Sequence, residues 1–84
     1  MMSLIRLLSV IDIDKEVSLA VEDQTGLHPA VRDSNGKAYQ GLGGSVYTQR
    51  SFDRNILQRY LYREIREVTT RQINGAETLT IILY

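Results

Sequence analysis

DRNILQRYLYREIREVTTRQINGAETLTIILY, residues Asp53–Tyr84, decides the fold of this chain. Ser51 and Asp53 both suit a helix N-cap, with a side-chain oxygen free to accept a backbone N–H. From Arg54 to Ile73 there is no Gly or Pro to end a helix. At helical spacing Leu57, Leu61, Ile65 and Val68 fall on one stripe, with Tyr60 on its flank. Asn74-Gly75 then supplies a stop, because Gly enters the left-handed C′ conformation without a Cβ penalty. A second reading competes. Val68-Thr69-Thr70 favours a strand, and Asn-Gly is the preferred two-residue hairpin turn. In that reading Val68–Ile73 pairs with Ala76–Ile81, and Val68, Thr70, Leu79 and Ile81 share a face. In both readings Thr78–Tyr84 is a strand. The long helix is the reading adopted here.

Working back from this stretch, Leu4–Ile13 is apolar on both faces if extended. A helical reading through Leu4, Leu7, Leu8 and Ile11 also fits, and the Val-Ile-Asp-Ile ending favours the strand. Val17–Glu22 alternates as a half-buried strand, with Asp14-Lys15-Glu16 as the turn before it. Asp23–Pro29 reads as a loop, with Pro29 marking a strand start or an edge. Ala30–Asp33 and Lys37–Gln40 flank Ser34-Asn35-Gly36, a hairpin signal. Gly41–Ser45 is a glycine loop, and Val46–Gln49 a short strand. The expected fold is α+β: a mainly antiparallel sheet with one long amphipathic helix on one face, in the order β-β-β-β-β-α-β. Residues 1–84 make one domain.

Composition narrows the function classes. Ten basic and ten acidic residues give zero formal net charge, which argues against a surface built wholly for nucleic acid or anionic lipid. With no cysteine, disulfides and Cys-based zinc sites are excluded, and a reducing, cytoplasmic setting is expected. Leu4–Ile13 is too short and too charged for a membrane span, and it lacks the cleavage site of a signal peptide. No membrane association is expected.

Few residues invite a chemical role. Gly41-Leu42-Gly43-Gly44-Ser45 lacks the spacing and the lysine of a phosphate-binding loop. Asp12, Asp14 and Glu16 alternate as if on one face of an extended chain, yet no further ligand supports a metal site. His28 is the only histidine, without a Ser or Cys nucleophile signature beside it. No enzyme, metal or cofactor is expected. The long helix would instead carry a cationic ridge of Arg59, Arg63 and Arg66, extended by Arg50, Arg54 and Tyr62. Such a ridge suits an anionic protein or a single-stranded nucleic acid. Glu67 lies one turn from both Arg63 and Arg71 on that helix. The apolar outer strands leave one sheet face uncovered, so self-association through Leu8, Val10, Ile82 and Tyr84 is expected. The favoured function is a small non-catalytic accessory protein that forms homo-oligomers or binds a partner protein; a nucleic-acid-binding module using the arginine ridge is the alternative.

Overall fold

The computed structural model describes Met1–Tyr84. Its elements are α1 (Leu4–Leu8), β1 (Val17–Asp23), β2 (Gly26–Pro29), β3 (Val46–Tyr47), α2 (Arg54–Leu57), β4 (Ile65–Ile73) and β5 (Ala76–Leu83). The strands form one sheet in the order β2-β1-β5-β4. β1 and β5 run parallel, and the remaining pairs are antiparallel. β3 pairs with Val17 and Ser18, on the side of β1 that β2 takes further along.

The long amphipathic helix does not form, and this overturns the expected fold. Asp53 does cap a helix, its Oδ1 accepting the N–H of Asn55 at 2.8 Å and of Ile56 at 3.3 Å, but that helix ends at Leu57. Two causes act against its continuation. The carbonyls of Leu61 and Arg63 accept the amides of Ile5 (2.8 Å) and Leu4 (2.9 Å), so α1 claims groups that a longer helix would use internally. Val68, Thr69 and Thr70 lose side-chain freedom in a helix and pack well in a strand. The hairpin reading is the one that forms. Asn74 (φ 53°) and Gly75 (φ 78°) make a two-residue turn, with Ile73 opposite Ala76. Val68 lies opposite Ile81 and Thr70 opposite Leu79.

The first segment is also corrected. Leu4–Leu8 is helical, and the chain then turns at Ser9 and Val10. Leu4 and Leu8 point into the core. Ser3 makes no side-chain cap, so α1 instead has its first amides satisfied by Arg63 and Leu61. Its far end is held by Gln49 Nε2, which donates to the Leu8 carbonyl at 3.0 Å. The element order is therefore α-β-β-β-α-β-β. The strand expected at Val17–Glu22 forms as β1. Gly26–Pro29, read as a loop, forms an edge strand that ends at Pro29. The turn at Asn35-Gly36 forms with Gly36 at φ 80°, but its arms make only the single bridge Arg32–Ala38.

One face of the sheet carries the core. Val17, Leu19, Ile81 and Leu83 meet Leu4, Leu8, Val31, Tyr47 and Phe52. Tyr39, Tyr47 and Phe52 stack with ring centroids 4.5–5.5 Å apart. On the opposite face of β1 and β5 stand Ser18, Ala20, Thr78, Thr80 and Ile82, all buried. Most of these are short, so neighbouring side chains suffice to cover them. Arg71 Nε reaches Thr80 Oγ1 at 3.3 Å, and the Arg66–Glu22 ion pair spans β5 from β4 to β1.

Candidate functional site

The outer side of β4 is the most distinctive surface of the molecule. β4 is nine residues long and pairs with β5 along one side. Its other side meets only the N-terminal segment, through the Ser3–Glu64 bridge and the Ile65 N–H to Met2 carbonyl bond at 2.8 Å. From Glu67 to Ile73 that side is open.

Which main-chain groups it offers follows from the turn. In a two-residue hairpin the flanking pair, here Ile73 and Ala76, exchanges both hydrogen bonds, and paired and unpaired positions then alternate. The N–H and C=O groups of Glu67, Thr69 and Arg71 therefore point to β5. Those of Val68, Thr70 and Gln72 point outward, unpartnered. The middle of the edge, Val68-Thr69-Thr70, is β-branched and uncharged, without the lysine or proline that commonly blunts an exposed strand. The register shift between Ile65 and Glu67 marks a bulge at one end.

The arginines expected to form one ridge are dispersed. Arg63 Nη2 donates to the Tyr84 carbonyl, and its guanidinium lies 5.8 Å from the Tyr60 ring centroid. Arg66 pairs with Glu22, and Arg50 Nε with Asp14 Oδ1 at 3.0 Å. Arg54 begins α2, while Arg59 lies exposed in the turn that follows it. Tyr62 is exposed, with no arginine stacked on it. Without a continuous helix, the i, i+4, i+7 spacing loses its meaning. Of the expected interface residues, Leu8 and Ile82 are buried inside the chain, whereas Val10 and Tyr84 are exposed. The uncovered apolar sheet face behind that expectation is absent, because the residues on that face of β1 and β5 are buried.

Sequence reading passed over Glu67 and Arg71 as a strand pair. On β4 they share a face, flanking Thr69. Neither has an ion-pair partner within the chain, whose arginine–carboxylate pairs are Arg50–Asp14 and Arg66–Glu22. The signal was present in the alternation of Glu67, Thr69 and Arg71, and it is legible only once the segment is taken as extended.

Other candidates are placed as follows. Asp14 turns to Arg50, and Asp12 Oδ1 accepts the Asp14 N–H at 2.8 Å, so the carboxylates near the first turn do not converge as metal ligands. His28 Nε2 lies 2.6 Å from Thr25 Oγ1 and 3.0 Å from Asp23 Oδ1. Both contacts use one ring nitrogen, whereas a triad relay needs one partner on each. The cluster instead locks the β1–β2 turn. The Thr25 hydroxyl and the Thr25 amide hold the Asp23 carboxyl below its ordinary pKa. An open groove of about 370 Å³ lies between α1 and α2, with Ile5, Leu8, Leu57 and Leu61 as its apolar part and Arg54 and Gln58 among its polar residues. No acid–base pair converges on it. In the glycine loop, the Gly43 carbonyl accepts from Asn74 Nδ2 at 2.9 Å, which ties the loop to the β4–β5 turn. No helix is long and apolar enough to cross a membrane.

Compared with known proteins, the chain matches no family model, no curated protein and no solved structure.

Proposed function

We propose that this is a non-catalytic interaction protein whose β4 edge accepts an extended strand from another chain. The observation that carries the reading is the open side of β4, with outward main-chain groups at Val68, Thr70 and Gln72. Strand addition of this kind draws affinity from main-chain hydrogen bonds and specificity from alternate side chains. The sheet behind the edge is well anchored, since β5 is buried from Thr80 to Leu83. An incoming strand would thus meet a fixed template.

Thr70→Pro tests the reading. Proline removes an outward N–H and leaves the ladder to β5 intact, which edge strands tolerate. The variant should stay folded by circular dichroism and lose every association of the parent, with itself or with another protein. Gln24→Ala, in the turn at the far edge of the sheet, should lose none. A folded Thr70→Pro protein that keeps all of the parent's associations would refute the edge as the binding surface.

A further inference from the structure

We infer that the strand β4 accepts is β4 of a second copy, antiparallel about a twofold axis through Thr69. This rests on the edge reading above and adds the identity and register of the occupant.

The two unpaired charges carry it. Glu67 and Arg71 project from one face of β4, four residues apart. On an extended chain that separation is roughly 13 Å, too far for them to reach each other. Within the chain neither makes an ion pair: Glu67 has only the neighbouring Arg66, which is already paired with Glu22, and the side-chain hydrogen bond of Arg71 goes to the Thr80 hydroxyl. A second β4 brought in antiparallel about Thr69 places Arg71 of each copy opposite Glu67 of the other. Both orphan charges are then satisfied twice over by one symmetry operation.

Geometry leaves few other registers. Outward-facing residues must oppose outward-facing residues, so the axis has to pass through a residue and not between two. An axis through Val68 sets Glu67 against Thr69. One through Thr70 sets Glu67 against Ile73 and Arg71 against Thr69. Axes through Glu67 or Arg71 oppose like charges. Only the axis through Thr69 matches charge with charge. In that register Val68 and Thr70 of opposite copies exchange about four main-chain hydrogen bonds. Glu67 and Arg71 fall at positions whose groups point away from the new partner, where cross-strand side chains approach most closely. The run ends at five residues, because Met2 already occupies the Ile65 N–H in each copy.

The measurement is sedimentation velocity from about 10 µM to about 1 mM, since a short edge pairing gives a concentration-dependent dimer. The parent should pass from monomer to dimer over this range. E67R and R71E should each weaken the dimer by about tenfold or more, and E67R/R71E should return it to near the parent's strength, since the charges are then matched again. T70P should be monomeric throughout. If T70P does not fold, the charge reversals decide, because both positions lie outside the core. A dimer that survives T70P would overturn both the edge and this inference. A dimer lost in T70P but not restored by the double reversal would overturn the Thr69 register and leave the edge standing. A parent monomeric at every concentration would overturn self-pairing while the edge remains open to a different partner.

Discussion

Replacing Tyr47 by Phe should lower stability at neutral pH and raise it in strong alkali, with the two effects crossing near pH 11. Tyr47 is 1% exposed, packed against the rings of both Tyr39 and Phe52, and its hydroxyl donates to the Tyr39 carbonyl at 2.6 Å. Removing that hydroxyl leaves a carbonyl short of a donor, which costs about 1–2 kcal/mol. Burial, reinforced by the neighbouring Tyr39 and Tyr60 hydroxyls, pushes the Tyr47 phenol up to about 12. In the unfolded chain it titrates near its ordinary value of about 10. The folded value is the higher one, so the parent keeps its full stability below pH 10 and loses it as pH rises toward 12. Each pH unit in that window removes about 1.4 kcal/mol, for a total of about 3 kcal/mol. The Phe variant escapes this loss. It starts about 1–2 kcal/mol lower, so the two curves meet roughly one pH unit into the window. Urea unfolding of both proteins at intervals from pH 7 to pH 11.5 gives the difference directly, because the remaining titrating groups are common to both. A constant difference across that range would show that Tyr47 ionises like a solvated phenol, and would refute the buried aromatic cluster.

Three further outcomes are expected. Gly41→Ala should destabilise by about 2–4 kcal/mol, because a Cβ there would lie 2.0 Å from the Val46 carbonyl oxygen and 2.5 Å from the Tyr47 ring; chemical denaturation checks it, and a loss below 1 kcal/mol would show the loop yields easily. Asp53→Ala should cost about 1 kcal/mol by removing the α2 cap, read as a shift in melting temperature, with Asp53→Asn recovering most of it. Thr25→Val should raise the Asp23 pKa toward its ordinary value in an NMR titration, since the Thr25 hydroxyl is the main cause of its depression. Because that folded value is depressed, the stability it confers is present at neutral pH and lost as pH falls into the acid range, and the variant should show less of this loss.

Local signals in the sequence read well where one element has one meaning. Asp53 caps, Asn74-Gly75 turns, Gly36 takes a positive φ, and Val17–Glu22 forms within β1, although Ser18 and Ala20 are buried as fully as Val17 and Leu19 and the expected half-buried alternation is absent. Reading failed where a run of apolar residues fits two periods at once. Leu4–Ile13 satisfies both a strand and a helix, and the choice fell to contacts far away in sequence: the carbonyls of Leu61 and Arg63, and the amide of Gln49. Arg54–Ile73 failed for a related reason. Its first turn is a good helix and its last six residues a good strand, and nothing local marks the junction. The junction is set where the N-terminal segment docks, at Ser3 against Glu64. The aromatic stack was equally hidden, because Tyr39 and Phe52 come from irregular stretches and Tyr47 from the two-residue strand β3.

The misread period also changed what the charges meant. On a helix, Glu67 and Arg71 are one turn apart and would pair with each other, a common stabilising contact that asks for nothing outside the chain. On a strand, the same spacing places them out of mutual reach and on one face. A pair that would have been closed within the molecule becomes two half-pairs, each open to a strand that carries the opposite charges in the opposite order. Arg63 and Arg66 show the converse. As helix residues they belong to an exposed ridge that seeks an anionic partner. Just before β4 and at its start, Arg63 finds the Tyr84 carbonyl and Arg66 finds Glu22 inside the chain. Secondary structure thus exchanges the two sets: Arg63 and Arg66, which looked available, are occupied, and Glu67 and Arg71, which looked paired, make no ion pair within the chain.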